Sequence, residues 1–410
     1  MLNIADLYSD ANPNTVILLS IAIMLFSGFL ATRVTKKLRL PNVSGYIIAG
    51  ILIGPSFLHL VPENIIENCA FLSDIALAFV AFNTGRFFRK RALERTGKSV
   101  VLITLMESIL SGVLIMVVCY FPLHLSWELS LLLGAIATAT SPTSTLMTIQ
   151  QYKAHGEFVD TLLQVIAVDN IVCLLIYSVI SAIVGSESTL QVSTIVMPIV
   201  YNLLSIGLGA LCGLLLCSII TPKRTSENRL ILTVGLLCGL AGICAVMNIS
   251  PLLSCMMFGA IYINKSGNDA IYHQIARFNP PIMSMFFVIS GMNLNVSSLT
   301  AFGIVGLVYV VVRIIGKYAG TYLGCMITGK EKTVRKYLGF ALIPQASVAL
   351  GLAFLGQRLL PTEIGDLLLS IVLAAAVVYE LVGPACAKLA LSRSGAISEI
   401  CLPDQEKEPV

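Results

Sequence analysis

Five ionisable residues fall inside long apolar runs of this chain: Glu107, Asp169, Arg313, Lys317 and Glu380. A charge at the centre of a membrane-spanning helix costs about 2.5–3.5 kcal/mol on the insertion scale, so each such residue needs a partner or a task. Asp169 precedes Asn170 about ten residues into the run DTLLQVIAVDNIVCLLIYSV. Arg313 and Lys317 stand at i and i+4 in GLVYVVVRIIGKYAGTYLG, on one face of a helix. Lysine gives up its proton when desolvated, whereas arginine does not. A carboxylate holds either a proton or a cation, so an Asp169–Lys317 pair can trade one for the other. The plainer chemistry is a set of buried ion pairs, Asp169 with Lys317 and Glu107 or Glu380 with Arg313. The plain role is expected for Glu107, Arg313 and Glu380, and the exchanging role for Asp169 and Lys317.

Two prolines mark where such a pair would act. Pro142 lies in GAIATATSPTSTLM and Pro344 in GFALIPQASVALGL, each in mid-run among small and hydroxylated residues. A proline removes one N–H and clashes with the preceding turn, and the freed backbone groups cannot be left unpaired in lipid. Thr138, Thr140, Ser141, Thr143, Ser144 and Thr145 offer hydroxyls beside the first break, and Gln345 and Ser347 offer polar groups beside the second. The expectation is two broken helices crossing near the midplane, presenting partial positive and partial negative helix ends to one cavity.

Composition supplies the elements that hold these residues. The chain has 410 residues, 57% hydrophobic and only 12% charged, with a mean hydropathy of +0.89. Soluble domains carry about 25% charged residues, so soluble enzymes, nucleic-acid binders and disordered proteins are excluded. A helix needs about 20 apolar residues to cross the hydrocarbon. Thirteen segments meet or approach that length: roughly 15–33, 41–56, 70–85, 99–121, 128–149, 160–184, 193–220, 229–247, 250–264, 278–294, 300–328, 335–357 and 364–391. None alternates apolar with polar residues as barrel strands do. The expected fold is an all-α polytopic membrane protein of about thirteen transmembrane helices.

Charge placement orients them. With the N-terminus outside and strict alternation, 23 of the 26 Lys and Arg fall in inside loops or the C-terminal tail. This follows the positive-inside rule and predicts an outside N-terminus and an inside C-terminus. The first fourteen residues hold Asp6 and Asp10 but no Lys or Arg, so no signal peptide is read there. The basic loop 86–98 reads as an anchor near acidic lipid. The eleven Cys are scattered without a C-x-x-C pair and read as small packing residues, not metal ligands or disulfides. His59, His124, His155 and His273 fall in loops or at span ends. No cofactor is expected.

The two halves carry matching landmarks. LPNVSGYIIAGILIGP answers ISPLLSCMMFGAIYIN, LAFVAFNTGRFF answers SMFFVISGMNLN, and the two proline runs answer each other. Spans 1–6 then correspond to spans 8–13, and the single span between them turns the second set over. That is an inverted-topology repeat, a construction common among secondary transporters. The domain organisation expected is a first six-helix repeat at 1–192, a connecting helix and loop at 193–228, an inverted repeat at 229–392 and a short cytoplasmic tail at 393–410.

With these residues in view, the chain resembles the monovalent cation/proton antiporter superfamily, the bacterial Na+/H+ and K+/H+ exchangers. LPNVSGYIIAGILIGP is similar to the family's early Gly-rich helix, and TATSPTSTLM and ALIPQASVALGLAFLG to its two crossed broken helices. RIIGKYAGTYLG resembles the helix bearing its characteristic Lys, and VVYELVGPACAKLAL its last helix. The resemblance implies a dimerisation domain, a six-helix core that moves across the membrane, and cation and proton competing for one carboxylate in span 6. Relatives carry Asp-Asp, Asn-Asp or Gln-Asp there, with the second residue binding the ion, whereas this chain has Asp169 then Asn170. In the preferred register Asp169 takes the Lys-paired place and Asn170 replaces the usual carrier, since NIVCLL then aligns. Sliding by one puts Asp169 in the carrier place with Val168 as its partner. The larger K+ exchangers append a nucleotide-binding domain, which is not expected in this chain.

The expected activity is secondary transport, not enzymatic catalysis: exchange of Na+ or K+ for protons by a homodimer in the cytoplasmic membrane. Asp169 and Lys317 would titrate, and Asn170, Thr140, Ser141 and Thr143 would give oxygens to the monovalent cation. Pro344 and Gln345 would form the partner break. Two alternatives stay open here: a degenerate relative that does not exchange, acting as channel, sensor or interaction partner, and a proton-coupled carrier of another small ion.

Overall fold

A computed structural model describes residues 12–37, 42–55, 57–86, 88–90, 97–141, 145–146, 148–149, 152–185, 192–220, 224–247, 249–293, 296–345 and 347–397. The described residues form sixteen α-helices and no strand. In chain order they are α1 (Pro13–Lys37), α2 (Asn42–Ile53), α3 (Glu63–Asn68), α4 (Ala70–Gly85), α5 (Lys98–Tyr120), α6 (Trp127–Ala137), α7 (Glu157–Val184) and α8 (Val192–Ile219). There follow α9 (Ser226–Val246), α10 (Pro251–Ser266), α11 (Ala270–Phe278), α12 (Pro280–Met292), α13 (Val296–Ile327), α14 (Lys332–Ala341), α15 (Ser347–Gln357) and α16 (Thr362–Arg393). Eight spans among these residues are long and apolar enough to cross a membrane. The expected spans near 41–56, 250–264 and 278–294 are met by the shorter α2, α10 and α12. Near 128–149 and 335–357 the helices are interrupted, at the end of α6 and between α14 and α15. Large apolar side chains such as Leu18, Phe26, Phe29 and Leu30 on α1 and Leu203 and Leu211 on α8 are exposed, as lipid-facing positions are.

Local signals start and stop these helices. Ser250 caps α10 by accepting from the Leu253 N–H, Pro251 occupies the first turn, and Gly267 closes the helix at φ +65°. Ser126 and Thr225 cap α6 and α9 in the same way.

The chain forms two compact units, each drawn from both halves of the sequence: Met1–Lys90 with Leu174–Gly306 and Leu350–Val377, and Arg91–Cys173 with Leu307–Ala349 and Val378–Val410. In the first unit, α2 crosses α12 and α4 crosses α10 at paired glycines. A Cβ on Gly50 would strike the Val288 carbonyl, and one on Gly291 would strike the Ile47 carbonyl. Likewise Gly85 faces the Met256 carbonyl and Gly259 the Phe82 carbonyl. Every one of these carbonyls belongs to the residue three before the partner's glycine. In the repeat expected from the sequence α2 would correspond to α10 and α4 to α12, which would make one crossing the other's counterpart. Tyr272 of α11 stacks on Phe82 at 4.9 Å and donates to the Gly259 carbonyl at 2.6 Å, bracing the second crossing.

In the second unit α5 runs against α13 along a stripe of glycines. Cβ atoms on Gly316, Gly320 and Gly324 would meet the Cα atoms of Ser111, Glu107 and Ile103 at 2.7, 2.5 and 2.8 Å. The four-residue step on both helices, in opposite senses, makes this an antiparallel small-residue contact of the kind that brings membrane helices close. Overpacking such a contact costs about 1–3 kcal/mol. Gly50→Val and Gly259→Val should therefore lower the melting temperature in detergent, while Gly239→Ala on α9, where a Cβ meets nothing within 4 Å, should leave it unchanged.

Candidate functional site

Both breaks lie in the second unit, and the helix ends that lead into them meet. α6 stops at Ala137 and α14 at Ala341, and the Ser141 N–H donates to the Pro344 carbonyl at 2.8 Å across the two breaks. Gly383 of α16 packs on Pro344, where a Cβ would come within 2.9 Å of its ring. Pro142, Thr143 and Ser144 lie outside the described residues.

A helix end leaves its last four carbonyls without intrahelical partners, and around these two breaks six main-chain carbonyls accept from named side chains of other segments. Gln345 Nε2 donates to the Ile136 carbonyl at 2.8 Å. Arg313 donates to Ala137, Ile343 and Ala139 through Nε, Nη1 and Nη2, at 2.8, 2.8 and 2.6 Å. Lys317 Nζ donates to the Thr138 carbonyl, and Thr145 Oγ1 to that of Ala341 at 3.2 Å. Hydroxyls and the Gln345 amide were the expected groups, and Thr138, Thr145 and Gln345 do donate here; Arg313 and Lys317 were not expected, and they answer four of the carbonyls.

Arg313 is fully buried and lies over the Tyr379 ring at 4.6 Å. It was expected to pair with Glu107 or Glu380. It does not pair with Glu107; among the described residues it meets the C-terminal ends of α6 and α14, each worth about half a negative charge. Glu380 lies in α16, with its side chain outside the described residues.

Glu107 goes to the lysine. Its Oε2 is 2.7 Å from Lys317 Nζ, closer than Asp169 at 3.3 Å, and all three side chains have no solvent exposure. The Gly320 contact makes this possible, because it brings the α5 backbone at Glu107 up to the α13 turn that carries Lys317. Lys317 Nζ also donates to Thr140 Oγ1 at 3.0 Å, and Ser108 Oγ donates to Asp169 Oδ1 at 2.7 Å. Asn170 is buried beside Asp169, but its amide donates to Ile166 one turn back at 2.8 Å, which leaves its Oδ1 without a partner.

The structure thus gathers Asp169, Lys317, Thr140 and Glu107 into one cluster, with Arg313, Ser141, Pro344 and Gln345 holding the crossing above it. The Glu107–Lys317 pair and the Ser108 contact were not read from sequence. The repeated glycine spacing in GKYAGTYLG was the available signal, since it selects the helix face that must lie against another backbone. No group of three His, Cys, Asp or Glu side chains able to hold a metal occurs among the described residues.

Helices broken over a buried carboxylate–ammonium cluster, within a bundle of apolar spans, define a helical secondary transporter. The family described as sodium/hydrogen exchanger, transmembrane, matches residues 21–388, and the chain belongs to it. The high-affinity Na+/H+ antiporter NhaS3 of Synechocystis sp. is 21% identical over 384 residues, covering 83% of this chain and 82% of the relative. The probable Na+/H+ antiporter GerT of Bacillus cereus is 20% identical over 339 residues, covering 81% of this chain and 88% of that protein. The sodium proton antiporter MjNhaP1 of Methanocaldococcus jannaschii shares the fold, with a TM-score of 0.71 at 18% identity over 92% of this chain and 98% of the other.

An unpaired buried carbonyl costs about 1–3 kcal/mol. Arg313→Ala, which orphans three, should sharply reduce monodisperse protein in detergent, and Arg313→Lys should melt between it and the parent. Equal melting of Arg313→Lys and the parent would show that the guanidinium fork is not required.

Proposed function

We propose that this protein exchanges a monovalent cation for protons across the membrane by alternating access. The observation that carries the reading is the Lys317 ammonium, buried among the oxygens of Glu107, Asp169, Thr138 and Thr140 beside the crossed breaks. A nest of anionic and neutral oxygens around an ammonium suits a small dehydrated cation equally well. Lys317 can vacate it by losing its proton. Asp169 is the titrating carboxylate, Lys317 its competitor, and Asn170, Thr140, Ser141 and Thr143 complete the cation's oxygens. The name Na+/H+ antiporter, printed for the relatives, makes sodium the first ion to try. The Asp-Asn order favours neither alternative, because the cluster keeps a second carboxylate in Glu107.

The same reading takes the chain as thirteen spans in an inverted repeat, at 1–192 and 229–392 around the connector at 193–228, with a cytoplasmic tail at 393–410. It is oriented N-terminus out and C-terminus in, and works as a homodimer in the cytoplasmic membrane. The reciprocal glycine crossings support the repeat.

The test is proton movement in liposomes containing the purified chain and a pH dye, with Na+, Li+, K+ or choline added. Cation-dependent movement is expected, and Asp169→Asn should abolish it; undiminished exchange in that variant would overturn the assignment. Lys317→Arg should keep the fold and shift the pH dependence of exchange, because arginine does not release its proton. An unaltered profile would make Lys317 structural only.

A further inference from the structure

The two carboxylates of the cluster are not equally engaged. Asp169 accepts from Ser108 at 2.7 Å, lies 3.3 and 3.4 Å from the Lys317 ammonium through its two oxygens, and meets the Thr140 hydroxyl. Glu107 touches the same ammonium through Oε2 at 2.7 Å and lies within hydrogen-bonding reach of Asp169. Neither of its oxygens accepts an aligned hydrogen bond. Among the described residues, that ammonium and Asp169 are the polar groups that meet this fully buried carboxylate, fewer than its lone pairs can take.

The charge balance points the same way. Arg313 is answered by helix ends, so the described side chains of the cluster set two carboxylates against one ammonium. A low-dielectric interior does not tolerate an uncompensated charge, so the ammonium answers one carboxylate and the other must hold a proton or a cation. Asn170 Oδ1 and Gln345 Oε1 are also buried acceptors without donors, so the unsatisfied groups on these helices are oxygens, the ligands that alkali cations take.

We propose that Glu107 is a direct ligand of the transported cation, its carboxylate joining Asp169, Thr140 and the Thr138 carbonyl around the position of the Lys317 ammonium. This rests on reading the cluster as the exchange site and adds to it a ligand from α5. Asp169 shares the anionic role, since Ser108 holds one of its oxygens and Glu107 lies closer to the ammonium whose place the cation takes. Glu107 takes the role that the neutral Asn170 cannot fill.

The experiment measures antiport kinetics of the purified chain in liposomes at one fixed pH, with Na+, Li+ and K+ as probes, for the parent, Glu107→Gln and Glu107→Asp. Replacing a charged ligand by an amide should raise the apparent KM for the preferred cation about tenfold, with a smaller change in the rate at saturation. Glu107→Asp, which withdraws the carboxylate by one methylene, should change the ratio of KM values between Na+ and K+. A KM and an ion ratio within about twofold of the parent in both variants, or a loss of rate alone, would overturn the proposal and leave Glu107 a strut. Should Glu107→Gln fail to fold, the midpoint of cation-dependent thermal stabilisation in Glu107→Asp decides, and an unmoved midpoint overturns the ligand role. A parent chain that moves no protons with any cation fails the exchange reading, yet Glu107 is still judged by that midpoint. A parent that no cation stabilises overturns both.

Discussion

Breaking two helices inside an apolar bundle frees carbonyls that lipid cannot satisfy, and the second unit is organised around answering them. Most of the donors come from one helix, α13, where Arg313 reaches both breaks and Lys317, four residues on, reaches the first. Arg313 donates to three main-chain carbonyls at the helix ends, which answer its charge. That arrangement leaves Lys317 free to face carboxylates. The division of labour follows from the side chains themselves: the guanidinium is a planar fork that stays charged, and the ammonium is a compact point charge that can be discharged.

Bringing α13 to this position depends on what it lacks. Gly316, Gly320 and Gly324 remove the side chains that would hold α5 away, so Glu107 and Ser108 can reach Lys317 and Asp169. A larger residue at Gly320 would meet the Glu107 backbone directly and move the carboxylate away from the ammonium. The chemistry and the packing of this unit are therefore one problem, since the residues that bind and the residues that permit approach alternate along a single helix.

Much of this was legible in the sequence. Hydropathy alone gave an all-helical membrane chain, and the mid-run prolines located both breaks. The rarity of charge in apolar runs selected Asp169, Lys317, Arg313 and Glu107 without any structure. Partner choice was not legible. Glu107 and Arg313 are opposite charges in apolar spans, and pairing them is the simplest arithmetic. Carbonyl groups belong to every residue and leave no mark in composition, so their claim on Arg313 emerges only when the helix ends are seen to meet. Asn170 is a similar case: its type suggested a ligand, while its amide is tied to the turn before it.

The glycine crossings of the first unit also bear on how such a chain can diverge. At Gly50, Gly85, Gly259 and Gly291 the obstacle to a side chain is a main-chain carbonyl of the opposing helix. No substitution on that opposing helix removes a carbonyl, so a change at one glycine has no compensating change at its partner. Paired variation, the usual signature of two residues in contact, should be missing at these crossings even though the contact is intimate. They would register in an alignment as four separately invariant columns, silent to any method that detects proximity by covariation.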